Sequence, residues 1–167
     1  MTGGPVRRPI EGGLSHLDEH GAARMVDVSG KTPTCRSATA TGTVCTTAKV
    51  IAQIAEGGLA KGDALATARI AAIQAAKRTS ALIPLCHQIP LSSVDVDFVV
   101  TDSTVELTAT ARTTDRTGVE MEALTAVTVG ALTIYDMIKA LDPAARIEDV
   151  RLLRKEGGKA GVWEASR

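Results

Sequence analysis

Gly118-Val-Glu-Met-Glu-Ala-Leu-Thr-Ala-Val-Thr-Val-Gly-Ala-Leu-Thr-Ile-Tyr-Asp-Met-Ile-Lys139 is the longest periodic segment of the chain. Within it and just beyond, Leu124, Val127, Ala131, Ile134, Ile138 and Leu141 recur three or four residues apart, one face of an α-helix. Beside them runs a stripe of smaller side chains, Ala123, Ala126, Gly130 and Thr133, followed by Met137. Two adjoining apolar stripes predict a helix covered over most of its circumference. Gly130 in the middle costs about 1 kcal/mol against alanine, which close approach of another backbone would offset. Glu120, Glu122, Asp136 and Lys139 are set into this rod, and charged groups beside a dry surface are usually paired or functional.

The same helix is a ruler. Glu122 and Asp136 stand 14 residues apart, about 21 Å along an unbroken helix. Within one chain they cannot act on the same atom of a small substrate. Either the helix is broken, or two copies run antiparallel across a two-fold axis and bring the Asp136/Lys139 end of one to the Glu120/Glu122 end of the other. The small-residue stripe is the surface expected at that crossing. The expectation is a dimer at least, with its site shared between chains.

Outward from the helix, Val94, Val96 and Phe98 alternate with Asp95 and Asp97. After a turn at Thr101–Ser103, Val105, Leu107, Ala109 and Ala111 alternate in their turn, which predicts a hairpin. Pro143 closes the helix, and Ile147 to Leu153 reads as a last strand. Upstream, Ala23–Val28 alternates as a strand, with Asp27 on the face opposite Val26 and Val28, and Thr34–Cys45 reads as a second. A helix from a Thr46 cap to Glu56 and another over Ala64–Ser80 behind an Asp63 cap follow. Lys61, on a glycine turn before that second helix, suits an anion. The order β-β-α-α-β-β-α-β predicts an α+β fold: a ferredoxin-like antiparallel sheet with helices packed on one face. The threonine-bearing face is left for solvent or a partner. Residues 1–13 are expected to form a flexible N-terminal tail, 14–160 a single domain, and 161–167 a C-terminal tail.

Four short segments bear on chemistry. Ile83–Pro90, bounded by prolines, predicts a stiff extended connector. There Cys86 and His87 would point to opposite sides and could not form a nucleophilic pair. Cys86 reads as a small buried residue, and His87 as an imidazole held in place and titrating near neutrality. His16 and His20 have helical i, i+4 spacing but no third ligand, and read as a solvated segment. Ser29-Gly-Lys-Thr32 resembles the end of a phosphate loop, but Met25 stands where the first glycine is required. Lys155-Glu-Gly-Gly-Lys159 is a glycine-rich basic loop that suits phosphate.

Bulk properties narrow the class. At 167 residues with 2% aromatics, the chain must build one core from alanine and aliphatic side chains. Zero net charge argues against a nucleic-acid or anionic-membrane binder but leaves room for a local cationic cluster. Three cysteines without scaffold spacing fit a reducing cytosol. The N-terminus lacks the apolar region of a signal peptide. No apolar run approaches the roughly 20 residues of a membrane span. A cytoplasmic location is expected.

MVDVS (Met25–Ser29), KGD (Lys61–Asp63), ATARIAAIQAAKRT (Ala66–Thr79), LIPLCH (Leu82–His87), TGVEMEALTAV (Thr117–Val127), ALTIYDMIKA (Ala131–Ala140) and VRLLRKEGGK (Val150–Lys159) together resemble the cyclic pyranopterin monophosphate synthase, or MoaC, family of molybdenum cofactor biosynthesis. The resemblance implies a homohexamer, a trimer of dimers with its site at the dimer interface. It implies a lyase converting (8S)-3′,8-cyclo-7,8-dihydroguanosine 5′-triphosphate to cyclic pyranopterin monophosphate and pyrophosphate. It implies no cofactor beyond Mg²⁺ accompanying the triphosphate. Asp136 matches the family's essential aspartate; Leu85, Cys86, His87, Met121 and Glu122 match substrate contacts. Asp27, Lys61, Glu120, Lys139 and Lys155 match other residues around the pocket, while Gln88 stands where the family commonly has proline. Lys61 and Lys139 are the acid–base candidates, with a pKa lowered by desolvation and a neighbouring cation, and Asp136 orienting Lys139 one turn away. A non-catalytic guanine-nucleotide or pterin binding module is the competing reading.

Overall fold

Alternating small and branched residues give strand β1 (Thr34–Cys45) one face that is wholly buried, Ala38, Ala40, Gly42 and Val44, and one that carries threonines. The computed structural model describes residues 21–159 and 161–166. After β1 come helices α1 (Ala48–Ala55), α2 (Ala64–Ala76) and the single turn α3 (Thr79–Leu82). The hairpin β2 (Ser93–Val100) and β3 (Thr104–Asp115) follows, then α4 (Glu120–Ile138), β4 (Arg146–Glu156) and a short β5 (Val162–Glu164). The sheet order is β2-β3-β1-β4-β5 with every pairing antiparallel. The fold is α+β, as expected: the buried strand residues share one face, and α2 and α4 lie on it.

α4 crosses the middle of the sheet. Its aliphatic stripe enters the core, where Ile134, Ile138 and Ala131 meet Val44, Val105 and Leu107. The small-residue stripe is used differently from expectation. Ala123 and Ala126 pack with Ala72 and Ala76 of α2 in the same chain. A Cβ at Gly130 would lie 3.3 Å from that of Ala72 and 3.7 Å from the Ala68 carbonyl oxygen. Gly130 is therefore offset by a close backbone approach, but the backbone belongs to α2 and not to a second copy. Two alanine-rich helices can approach this closely because neither presents a long side chain at the contact.

Several local expectations are corrected. Ala23–Val28 is not a strand: Ala23 makes one isolated bridge and the rest is irregular, although Val26 and Val28 are half-buried and Asp27 exposed, as the alternation implied. The cap of α1 is Thr47, whose hydroxyl accepts from the Val50 N–H. Thr46 instead donates to Asp142 at 2.7 Å and ties the end of β1 to the loop after α4. Asp63 caps α2 as expected, by accepting from Ala66 N–H at 2.9 Å. That helix ends at Ala76 rather than Ser80, where the Thr79 hydroxyl donates to the Ala76 carbonyl at 3.0 Å. The connector Ile83–Pro90 begins with a turn closed by Cys86 N–H on the Ile83 carbonyl. β5 occupies part of 161–167, where only a tail was expected.

The 19 residues of α4 are long and apolar enough, by length and composition alone, to cross a membrane, with a mean hydropathy of 1.3. The expectation that no run approaches that threshold underestimated it. Here most of its apolar surface is spent on the sheet and on α2, with Met121 and Leu132 left exposed. The first 20 residues, with the expected tail and the His16/His20 pair, lie outside the described residues.

Candidate active site

The unbroken α4 separates the charged residues into two groups. At its C-terminal end Asp136 holds two lysines. Lys139, one turn along the helix, sets its ammonium 2.8 Å from Asp136 Oδ1. Lys61 comes from the glycine turn before α2 and lies 2.7 Å from Oδ2. It also donates to the Asp136 main-chain carbonyl at 2.8 Å, so it satisfies an orphan acceptor of the last helical turn. The three side chains are about half exposed.

Hydrogen bonds from Lys139 and then Lys61 hold the Asp136 carboxyl down to about 2. The reciprocal bond raises Lys139 above the ordinary lysine value. This corrects the expected lowering: a half-exposed ammonium bonded to a carboxylate is stabilised as the cation. Lys139 is charged at neutral pH and can donate a proton or neutralise an anion.

The N-terminal end of α4 borders a cavity of about 700 Å³. Leu85, Cys86 and His87 form one wall, Glu120, Met121 and Glu122 another, and Lys155 of β4 a third. Cys86 and His87 both line it, and His87 also borders an adjoining cleft, which Cys86 does not. His87 Nε2 lies 2.7 Å from the Val26 carbonyl oxygen. A carbonyl only accepts, so Nε2 carries the proton and Nδ1 is the atom able to gain one. Lys155 reaches Glu120 Oε1 at 3.2 Å.

Glu122 is the most perturbed group of this end. Its side chain is buried, with 3% of the residue exposed. Desolvation first, and the neighbouring Glu120 charge as a smaller cause, push its pKa up to about 7, against the opposing pull of a backbone N–H. Burial, and then the Glu122 charge, raise the Cys86 thiol, which makes it a poor nucleophile at neutral pH.

Asp27 is not in the 700 Å³ cavity. It accepts from the Ser29 N–H at 2.8 Å, which lowers its pKa, and it borders an adjoining cleft with His87 and Gln88. Lys31, by contrast, lines the main cavity without having been assigned to the site. The phosphate-loop likeness of Ser29–Thr32 was the signal for it. Among the described residues, no group of three or more His, Cys, Asp or Glu is placed to hold a metal ion.

The chain matches the model of the MoaC family over residues 25–158. It is 65% identical to cyclic pyranopterin monophosphate synthase 2 of Mycobacterium tuberculosis (strain ATCC 25618 / H37Rv) over 152 residues, 91% of each chain. It is 60% identical to the cyclic pyranopterin monophosphate synthase of Streptomyces coelicolor over 92% of this chain and 90% of that one. With that of Streptomyces avermitilis the identity is 57% over 99% and 95%. With the family's motifs on both ends of α4 and relatives this similar along almost the whole chain, the protein belongs to the MoaC family.

Proposed function

We propose that the chain is a cytoplasmic phosphorus–oxygen lyase of molybdenum cofactor biosynthesis. It converts (8S)-3′,8-cyclo-7,8-dihydroguanosine 5′-triphosphate to cyclic pyranopterin monophosphate and pyrophosphate, at a site shared by two copies of the chain. The observation that carries the shared site is the unbroken α4, which keeps Glu122 and Asp136 about 21 Å apart in one chain. The stripe of α4 left uncovered, Met121, Thr128, Leu132 and Asp136, runs its full length and touches both charged groups. An antiparallel crossing on this stripe, centred near Thr128, sets the Asp136 group of one copy over the Glu122 cavity of the other. Three such dimers complete the hexamer.

The residues divide the chemistry. The main cavity falls within the ~300–1,000 Å³ range of small-molecule sites, and its apolar walls suit the fused ring. Glu122, with a pKa near neutrality, is suited to take and return protons as the purine-derived ring becomes a pterin. His87 Nδ1 offers a second proton acceptor. When a substrate hydroxyl attacks the α-phosphorus, its proton goes to a base, the bond to the bridging oxygen breaks, and the electron pair leaves with pyrophosphate. Lys61 and Lys139, oriented by Asp136, stabilise that departing charge. No resident metal is required; Mg²⁺ would arrive with the triphosphate.

The test is incubation of purified chain with the cyclic triphosphate and parallel detection of pyrophosphate and pterin. Equimolar appearance of both supports the reading. Tight binding with neither product would make the chain a non-catalytic pterin or nucleotide binder.

A further inference from the structure

The segment from Met25 to Lys31 is a wall shared by two hollows. Val26, Val28 and Lys31 line the 700 Å³ cavity, and Met25 to Ser29 border the adjoining cleft of about 460 Å³. The core does not hold this segment in place. Between Arg24 and Pro33 no residue belongs to a helix or strand, and only Val26 and Val28 are half-buried. Neither valine packs against the two core clusters.

Its shape is set from within and its position from outside. The Asp27 carboxylate accepts from the Ser29 N–H at 2.8 Å, and the Lys31 N–H donates to the Val28 carbonyl at 3.0 Å. Two consecutive turns make residues 26–31 a stiff strap. Two side chains from remote parts of the chain then grip its ends. His87 Nε2 donates to the Val26 carbonyl at 2.7 Å, and Arg116 Nε donates to the Lys31 carbonyl at 3.0 Å. Arg116 is itself backed. Its own N–H donates to the Asp115 carboxylate at 2.6 Å, and Arg36 donates to the Asp115 and Arg116 carbonyls at 2.9 and 3.2 Å. The turn after β4 packs on Arg36 in its turn, since a Cβ at Gly158 would lie 2.5 Å from Arg36 Nη1. Arg116 directly precedes Thr117 and Gly118, which line the main cavity and lead into α4. Its bond to Lys31 therefore fixes the strap relative to the start of α4.

We infer that Arg116 is a positioning residue for the reaction: by holding the Lys31 carbonyl, it keeps the strap at the spacing from Met121 and Glu122 that the substrate ring requires. Its effect is exerted through the main chain of the strap. The inference rests on the function proposed above and adds to it a residue that the sequence did not single out. Val26 and Val28 offer the ring an apolar wall before and during the reaction. Slack in the strap therefore weakens substrate and transition state alike, which raises KM and leaves kcat in place.

The experiment combines amide hydrogen exchange of the substrate-free full chain with binding and steady-state turnover of the cyclic triphosphate, for wild type, Arg116→Met and Arg116→Lys. Arg116 is exposed, and an unchanged urea midpoint verifies folding of both variants. Loss of one hydrogen bond from a charged donor predicts that the Ser29 and Lys31 amides exchange at least about tenfold faster in Arg116→Met, while β1 and β3 keep their protection. In the same variant KM and the dissociation constant should rise at least about fivefold, with kcat within about twofold of wild type. Arg116→Lys keeps a donor on a stem of similar length and should restore most of both. Unchanged strap exchange in Arg116→Met overturns the inference whatever happens to KM, because a direct substrate contact would alter KM without loosening the free protein. So does exchange that rises equally in β1 and β3, or that rises in the strap with KM and affinity unchanged. Exchange and affinity need no turnover, so the expected changes in both without product sink the lyase reading alone.

Discussion

Glu122→Gln tests the electrostatics of the site without touching its shape. Gln keeps the size of the side chain and cannot ionise. In the wild type, burial raises the Glu122 pKa from 4.5 to about 7. A group raised in the folded state contributes stability that is full below its unfolded pKa and is lost as pH rises through its folded one. The wild type therefore pays an ionisation penalty between about pH 4.5 and 7 that the variant does not. At 1.36 kcal/mol per pKa unit, the stability of the variant relative to wild type should grow by about 3 kcal/mol across that window and level off above it. Urea denaturation of both proteins from pH 5 to 8.5, at one protomer concentration because assembly contributes to stability, reads this difference. Parallel stability curves would refute desolvation as the dominant influence on Glu122, and with it the acid–base role given to this residue.

Two further outcomes follow from packing and charge. Gly42→Ala places a methyl 2.7 Å from Val127 Cγ1 and 3.1 Å from Val150 Cγ2. Valine is stiff in a helix, so overpacking should cost about 1–3 kcal/mol in the urea midpoint; an unchanged midpoint would show that α4 can move off the sheet. Lys139→Met should lower kcat at least about a hundredfold while KM stays within a few-fold, because its cation is needed where charge develops. Unchanged single-turnover rates would remove Lys139 from the chemistry.

The hairpin was legible because Val94–Phe98 and Val105–Ala111 alternate on both sides of a turn that the structure keeps. The Asp136/Lys139 pair was legible because three residues along a helix bring side chains together. Lys61 joins them through tertiary contact across 75 positions, which helix spacing alone does not predict; the family resemblance supplied it. Ala23–Val28 misled because alternation reports which side chains are covered. It does not report whether a neighbouring strand takes up the backbone bonds. Here the Val26 carbonyl accepts from His87 instead. The small-residue stripe misled for a related reason: its width says that something approaches closely, and the sequence does not say whether that is α2 or a second copy. Arg36 was passed over because its partners, the Asp115 and Arg116 carbonyls and the Gly158 backbone, are all remote in sequence.

In the proposed site Glu122 and Asp136, held apart by one helix, meet across two chains. Glu122→Ala and Asp136→Ala chains, each without activity alone, are mixed, dissociated and reassembled. In a two-fold dimer with shared sites, half the random dimers are hybrids and one site of each hybrid carries both intact residues. About a quarter of wild-type turnover is then expected in the mixture. Failure to recover turnover in a mixture verified to contain hybrids would contradict it, and would leave both groups to act within one chain.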